Sequence, residues 1–304
     1  MNGGPSDALV QSVKQRLLNL RAKHGETFNT LLVRYGIERL LYRLTKSPHA
    51  DSFVLKGAML FAIWAETPHR PTQDVDLLGL GTPSLERLES VFKEICAIEV
   101  EPDGMTFNPD SVAARTIRED SIYDGIRIGI SATLGTARLQ LQVDVGFGDS
   151  ITPEPRVLAF GPLLDMPAPV LRTYPPETVV AEKLDAMMVL GLANSRMKDY
   201  YDLWSLSETM AFTGGLLVDA VAATTKRRKT IVPPDTPVGL SEVFGSDATK
   251  RTQWAAFLRK MGSRDALELP TVVARLRAFL MPIVDSVRSG AEVPGRWPPG
   301  GPWR

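Results

Sequence analysis

The pattern of apolar and polar positions divides this chain into stretches of different period. Val10, Val13, Leu17, Leu18 and Leu20 recur at helical spacing, with Lys and Arg opposite, and predict a first helix. A second is predicted from about Phe28 to Leu44, with Leu31, Leu32, Ile37, Leu40, Leu41 and Leu44 as its apolar set. Residues 1–50 thus read as a helical layer. The pattern then shifts. Ser52-Phe53-Val54-Leu55 is a short apolar run that reads as a strand, Lys56-Gly57-Ala58 interrupts it, and Met59 to Ala65 reads as a buried helix. Arg70-Pro71-Thr72-Gln73-Asp74-Val75-Asp76-Leu77-Leu78 has strand character. Gly79 and Gly81 precede a helix around Leu85–Cys96, with Leu88, Val91, Phe92 and Ile95 inward and Pro83-Ser84 at its start.

Alternation of period two follows. Asp124-Gly125 predicts a two-residue hairpin turn between a strand ending near Tyr123 and Ile126-Arg127-Ile128-Gly129-Ile130. A turn near Gly135 leads to Leu139 through Val145. There Leu139, Leu141, Val143 and Val145 take one face, and Gln140, Gln142 and Asp144 the other. Seven prolines between 151 and 176 exclude a helix and favour extended crossing segments, with a domain boundary near the end of the stretch. Pro175-Pro176-Glu177 opens a helix with Val180, Leu184 and Met187 as its stripe, and Gly191 ends it. Lys198 begins the next, and the chain reads as helical to about Val287. The tail from Gly290, with four prolines and two tryptophans, is expected to be extended or disordered. The expected organisation is a helical layer over 1–50, an α/β domain over 51–175, a helical C-terminal domain over 176–289 and a Pro-rich tail over 290–304.

Composition narrows the class. The chain has 304 residues, 44% hydrophobic and 23% charged, which suits a globular protein with a sizeable core. Its formal net charge is zero, so polyanion binding through bulk charge is disfavoured, though a local basic patch is not. The one cysteine, Cys96, has no internal disulfide partner and fits a buried apolar position. No apolar run approaches the ~20 residues of a membrane span, and the N-terminus lacks a signal-peptide core, so a cytoplasmic location is expected.

The chemistry centres on Asp74 and Asp76. Two apart in a strand, they point the same way, with Val75 and Leu77 toward a core. Adjacent carboxylates repel and call for a shared proton, a cation or water at a strand end. Mg2+ takes one or two carboxylates plus phosphate oxygens, so the pair suits metal-assisted phosphate chemistry, although D-x-D is also common at solvated strand ends. If the strand of Asp144 neighbours theirs, a third carboxylate joins them; Asp149 is a weaker rival. The glycine turn at Gly57 allows backbone to approach a phosphate. Lys183 sits beside the apolar stripe of its helix, where it either snorkels outward or points into a cleft as a mobile phosphate ligand. Asp199 and Asp202 share a face of the next helix, and Asp199 is placed to hold the Lys183 ammonium. Lys226, Arg227, Arg228 and Lys229 form a basic run, an RNA-binding candidate if a phosphate-transfer site lies nearby.

Phe53-Val54-Leu55-Lys56-Gly57-Ala58, Arg70-x-Thr72-x-Asp74-x-Asp76-Leu77, Ala181-Glu182-Lys183-Leu184 and Ser195-Arg196-x-Lys198-Asp199-x-Tyr201-Asp202-Leu203 together resemble the four ordered motifs of the AbiEii-type nucleotidyltransferase toxins, which include the mycobacterial MenT toxins. The motifs span residues 53 to 203. The resemblance implies a minimal polymerase-β-like nucleotidyltransferase domain with a mixed sheet, an α/β (α+β) fold, plus a helical C-terminal domain. It implies Mg2+-dependent transfer of a nucleotide from an NTP, CTP or another, to the 3′ end of tRNA. That transfer would block aminoacylation, and a cognate antitoxin would restrain it. By the same resemblance Asp74 and Asp76, with Asp144 by position, hold the metal, and Lys183, Asp199 and Asp202 complete the catalytic set. Lys56, Gly57, Ala58, Arg70, Thr72, Lys183 and Arg196 would contact the nucleotide. Ala58 and Met59 stand where the family usually has a glycine and a hydroxyl residue, which removes a side-chain phosphate contact. Thr72, two residues before Asp74, is a candidate for regulatory phosphorylation. Asp76→Ala or Lys183→Ala is expected to abolish transfer without unfolding the protein. The competing expectations are a protein or small-molecule acceptor, a non-catalytic nucleotide-binding regulator, and a carboxylate-metal nuclease.

Overall fold

The structure is a computed structural model that describes residues 6–24, 26–64, 74–119, 123–262, 267–293 and 295–304. The chain forms two compact units. The first comprises Met1–Gly148 with Arg156–Thr173, and the second Asp149–Pro155 with Tyr174–Arg304.

The first unit runs α1 (Asp7–His24), α2 (Phe28–Lys46), β1 (Phe53–Lys56), α3 (Leu60–Trp64), β2 (Asp74–Gly79), α4 (Leu85–Ala97), β3 (Met105–Phe107), β4 (Ala113–Glu119), β5 (Tyr123–Leu134), β6 (Ala137–Phe147), β7 (Arg156–Ala159) and β8 (Val170–Thr173). Among the described residues these eight strands make one mixed sheet in the order β3-β5-β6-β2-β1-β8-β7, with β4 also paired to β5. β2 runs parallel to β6 and antiparallel to β1. The fold is therefore mixed α/β, as expected.

The core face follows from the alternation. Leu139, Leu141, Val143 and Val145 are all buried, each such side chain contributing about 1.5–3 kcal/mol on full burial. Helix α2 lies against that face, and Gly36 brings it in closely: a Cβ there would crowd the methyls of Leu139 and Leu141. Helix α4 starts where Ser84 accepts the Arg87 amide and buries Leu88, Val91, Phe92, Ile95 and Cys96. In α1 the stripe is narrower than expected. Val10, Val13 and Leu17 are buried, but Leu18, one helical step of ~100° off the stripe, is exposed.

Two further expectations are corrected in this unit. Asp124 and Gly125 do not form a hairpin turn. They lie inside β5, opposite Arg118 and Ile117 of β4, and Gly125 lacks the positive φ that a tight type I′ turn needs. Pairing runs on to Glu119 and Tyr123, so the connection falls earlier in the chain than the sequence signal suggested. The turn at Gly135 is as expected, with φ +58 and Leu134 opposite Ala137. The helix expected from Met59 starts one residue later, after a 3-10 turn over Gly57–Met59.

The second unit holds α5 (Pro176–Leu190), α6 (Met197–Thr209), β9 (Phe212–Thr213), α7 (Gly214–Arg228), α8 (Glu242–Ser246), α9 (Ala248–Met261), α10 (Leu269–Ser289) and β10 (Arg296–Trp297). The tail is not loose. β10 pairs antiparallel with β9, and the Trp297 indole, 1% exposed, donates to the Ser207 carbonyl at 2.8 Å. Trp303 stacks on Phe279 and donates to its carbonyl at 2.9 Å. Two indoles, Trp297 buried and Trp303 half-buried, each with its N–H satisfied, hold down a proline-rich segment whose own backbone offers few donors. Among the described residues no helix is long and apolar enough to cross a membrane.

Candidate active site

In the first unit the polar face of the sheet carries the acidic residues. β2 alternates as its sequence requires: Asp74 exposed, Val75 buried, Asp76 half-buried, Leu77 buried. Parallel pairing to β6 sets Asp76 directly beside Asp144 and Asp74 beside Gln142. The Asp144 strand is therefore the expected neighbour of the Asp74–Asp76 strand, with Asp144 beside Asp76 and not beside Asp74. Register carries the row further. Arg127 of β5 lies opposite Asp144, Arg115 of β4 opposite Arg127, and Lys56 of β1 opposite Asp76. One line across five strands thus reads Arg115, Arg127, Asp144, Asp76, Lys56.

Asp144 is 8% exposed and bound by Arg127 through both oxygens, Nε to Oδ1 at 2.8 Å and Nη2 to Oδ2 at 2.7 Å. Such a fork fixes the carboxylate in position. Among the described residues no three of His, Cys, Asp and Glu gather to ligate one ion. Two carboxylates on one strand face are nevertheless enough for Mg2+, which fills its remaining positions with water and phosphate oxygens. Asp74 and Asp76 are the residues that fit such an ion.

Gly57 adds a second feature. It has φ +73, and a Cβ at this position would overlap the Asp76 carboxylate. The backbone after β1 therefore rests against the carboxylate, which only glycine permits. α3 covers only Leu60–Trp64, too short to supply a helix dipole of consequence, so the turn itself carries any phosphate contact. Lys56 precedes it, and Ala58 and Met59 complete the 3-10 turn. Arg70 and Thr72, expected to contact nucleotide and, for Thr72, to accept a regulatory phosphate, lie outside the described residues.

In the second unit Lys183 of α5 meets the two acids of α6. Its Nζ is 2.5 Å from Asp199 Oδ1 and 3.0 Å from Asp202 Oδ2, and both carboxylates are almost fully buried. Arg196 Nε adds a contact to Asp199 Oδ2 at 3.1 Å. The expected Lys183–Asp199 pairing is present, with Asp202 joined to it. Gly191 ends α5 with φ +49, and the short connection through Asn194 returns α6 alongside, which is what brings the ammonium and the acids together.

The basic run is divided by its helix. Lys226, Arg227 and Lys229 are exposed, but Arg228 turns inward onto Asp149 at 3.2 Å, Asp185 at 3.1 Å and Glu182 at 3.6 Å. Burial alone would lower the guanidinium pKa; the three carboxylates more than reverse this and push it up. Arg228 is thus an internal tie and not a surface ligand for RNA, and Asp149 serves that tie. Arg115, Arg127 and this tie escaped the sequence reading. The signal for Arg127 was present, since it occupies the polar position of an alternating strand.

The sequence profile described as "Nucleotidyl transferase AbiEii toxin, Type IV TA system" matches residues 39–280. No curated relative matches the chain in sequence. Among solved structures, JHP933 from Helicobacter pylori aligns over 95% of this chain and 97% of its own at 12% identity and a TM-score of 0.46. A second H. pylori protein, described as a proposed nucleotidyltransferase, aligns over 88% of this chain and all of its own at 14% identity and a TM-score of 0.47. The profile match spans well over half of the 304 residues, and the chain belongs to the AbiEii nucleotidyltransferase toxins of type IV toxin–antitoxin systems.

Proposed function

We propose that this chain transfers a nucleotide from an NTP to the 3′-hydroxyl of a tRNA, and that a cognate antitoxin restrains it. The observation that carries the reading is the contact between the Gly57 turn and Asp76, with Asp74 on the same face. Backbone that a Cβ would block, next to two carboxylates, suits a triphosphate and its Mg2+. Asp74 and Asp76 would hold that ion, which when bound neutralises charge on the phosphates. Lys56 and the Gly57 turn supply further positive or N–H character to the triphosphate; in the second unit Asp199 and Asp202 hold the ammonium of Lys183, the phosphate-binding lysine by the family resemblance.

The acceptor hydroxyl oxygen forms a bond to the α-phosphorus as the α–β bridging bond breaks, and pyrophosphate leaves with the electron pair. The hydroxyl proton passes to Asp144, whose Oδ1 keeps a lone pair beyond the one given to Arg127. Arg127 holds that base in place. Positioning and electrostatics account for the catalysis.

Incubating the purified protein with each labelled NTP, Mg2+ and total tRNA tests the reading. Label is expected at the RNA 3′ end, lost in Asp76→Asn. Label on protein or on a small molecule would move the acceptor elsewhere, shortened RNA would indicate a nuclease, and nucleotide binding with no transfer would leave a regulator.

A further inference from the structure

An open groove of about 600 Å³ is lined by Asp74, Arg115, Arg127, Arg138 and Gln142 of the sheet, with Asn29 and Val33 of α2 at its border. We propose that this groove holds the phosphodiester backbone of the single-stranded 3′ end of the acceptor RNA, with Arg115 and Arg138 as its phosphate ligands. The proposal rests on the transferase reading above and assigns the side from which the acceptor arrives.

Three observations carry it. The first is charge. Two like-charge pairs stand next to each other in one row, Arg115 beside Arg127 and Asp144 beside Asp76. Like charges directly opposite on neighbouring strands destabilise a sheet. The inner Arg127–Asp144 bond offsets part of this, but Arg115 gains nothing from it. Among the described residues Arg115 and Arg138 make no ion pair and no side-chain hydrogen bond, and both are exposed. A sheet that violates a local rule without internal compensation marks a place for a ligand, here an anion. The chain's net charge is zero, so this local concentration of guanidinium groups matters more than bulk attraction.

The second is shape. The next row along the sheet reads Ala113, Gly129, Gln142, Asp74. Gly129 and Ala113 leave a low floor between Arg127 and Arg138, and a Cβ built on Gly129 meets nothing within 4 Å. From Gln142 to Arg138 is four residues of strand, roughly 13 Å. The groove is therefore long enough for more than one phosphodiester, and longer than a small hydroxyl acceptor needs.

The third is direction. Gly57 and Lys56 lie on the β1 side of β2, and the groove lies on the β6-β5-β4 side. Phosphoryl transfer is in line, with attacking and leaving oxygens on opposite sides of the phosphorus. If the pyrophosphate departs on the Gly57 side, the attacking hydroxyl comes from the groove side, past Asp144.

Two variants separate the outcomes. Arg115→Glu/Arg138→Glu reverses the charge at exposed positions, and Gly129→Phe fills the floor where φ is not left-handed, without removing a charge. Both are measured, with thermal melting as the folding control, for binding to a short labelled single-stranded RNA with a free 3′-hydroxyl, in the absence of NTP. The expected result is RNA affinity at least about tenfold lower in each. The charge reversal should also flatten the log K against log salt slope by about one for each arginine. The NTP KM should be unchanged. Unaltered RNA affinity in folded variants, or no RNA binding by the wild type, overturns the proposal. So does a rise in the NTP KM alone, which would make the groove a donor subsite, or equal transfer by the variants to a protein. The transferase reading fails separately, when the wild type binds RNA yet moves no label to it.

Discussion

Asp76 and Asp144 stand directly beside each other on parallel strands, and each has a cation as its other cross-strand neighbour: Lys56 opposite Asp76 and Arg127 opposite Asp144. The cations at the flanks offset the repulsion between the two neighbouring carboxylates. Removing Arg127 as Arg127→Met should destabilise the first unit by about 1–3 kcal/mol. Asp144→Asn should suppress most of that loss, since the repulsion goes with the charge. A double-mutant cycle by urea denaturation measures the coupling; additive single effects would show that the fork does not set the site. Transfer activity should fall in both variants.

The pairing of Lys183 with Asp199, expected from the sequence, extends to Asp202 and gives the lysine a structural role. It neutralises two carboxylates that are 3% and 0% exposed at the side chain. Lys183→Ala should cost about 3–5 kcal/mol because Asp199 and Asp202 are left buried and facing each other. The expectation that this variant leaves the fold untouched is therefore replaced. Lys183→Met with Asp199→Asn and Asp202→Asn should recover much of the melting temperature but no transfer. Recovery of activity with stability would assign the lysine to folding alone.

Gly57→Ala should abolish transfer, because its Cβ overlaps the Asp76 carboxylate and its φ is left-handed. The strain itself should cost about 1–2 kcal/mol. A variant that melts near the wild type yet retains full turnover would show that the turn and Asp76 do not act together.

Arg228 and its neighbours in the basic run should behave differently. Arg228→Met leaves Asp149, Glu182 and Asp185 together and should cost about 3–5 kcal/mol. Lys226→Met and Lys229→Met, both exposed, should stay within about 0.5 kcal/mol. Equal effects at all three positions in chemical denaturation would contradict the inward placement.

Burial pushes the Cys96 thiol up from 9.0 to about 12, with the Arg43 charge acting the other way. Below pH 9 the thiol is protonated in the folded and unfolded chain alike and gives no pH dependence. Between 9 and 12 only the unfolded chain ionises, so stability falls as the pH rises through that window. Alkylation at pH 8, followed by intact-mass measurement, should label Cys96 only after denaturant is added. Cys96→Ala should remove this part of the alkaline loss.

Much of the site could be read from one dimension. The Asp74–Asp76 spacing, the alternation through Asp144 and the Lys183 and Asp199 positions follow from strand and helix periods, which are local properties of the chain. Local order also gave the mixed α/β character and the helical second half. Strand neighbours are not local. Only pairing put Asp76 beside Asp144 and made Arg115 and Arg127 a continuation of the acidic row, since register depends on contacts between residues far apart in sequence. The same limit explains the turn at Asp124-Gly125, where continued pairing outweighed a favourable turn pair, and the tail, where Trp297 found a buried acceptor that composition does not reveal. It also explains Arg228, whose place in a basic run says surface while its position on α7 faces three carboxylates. The sequence determined which side chains share a face; the tertiary structure decided which faces meet, because burial and charge compensation act between segments and not along them.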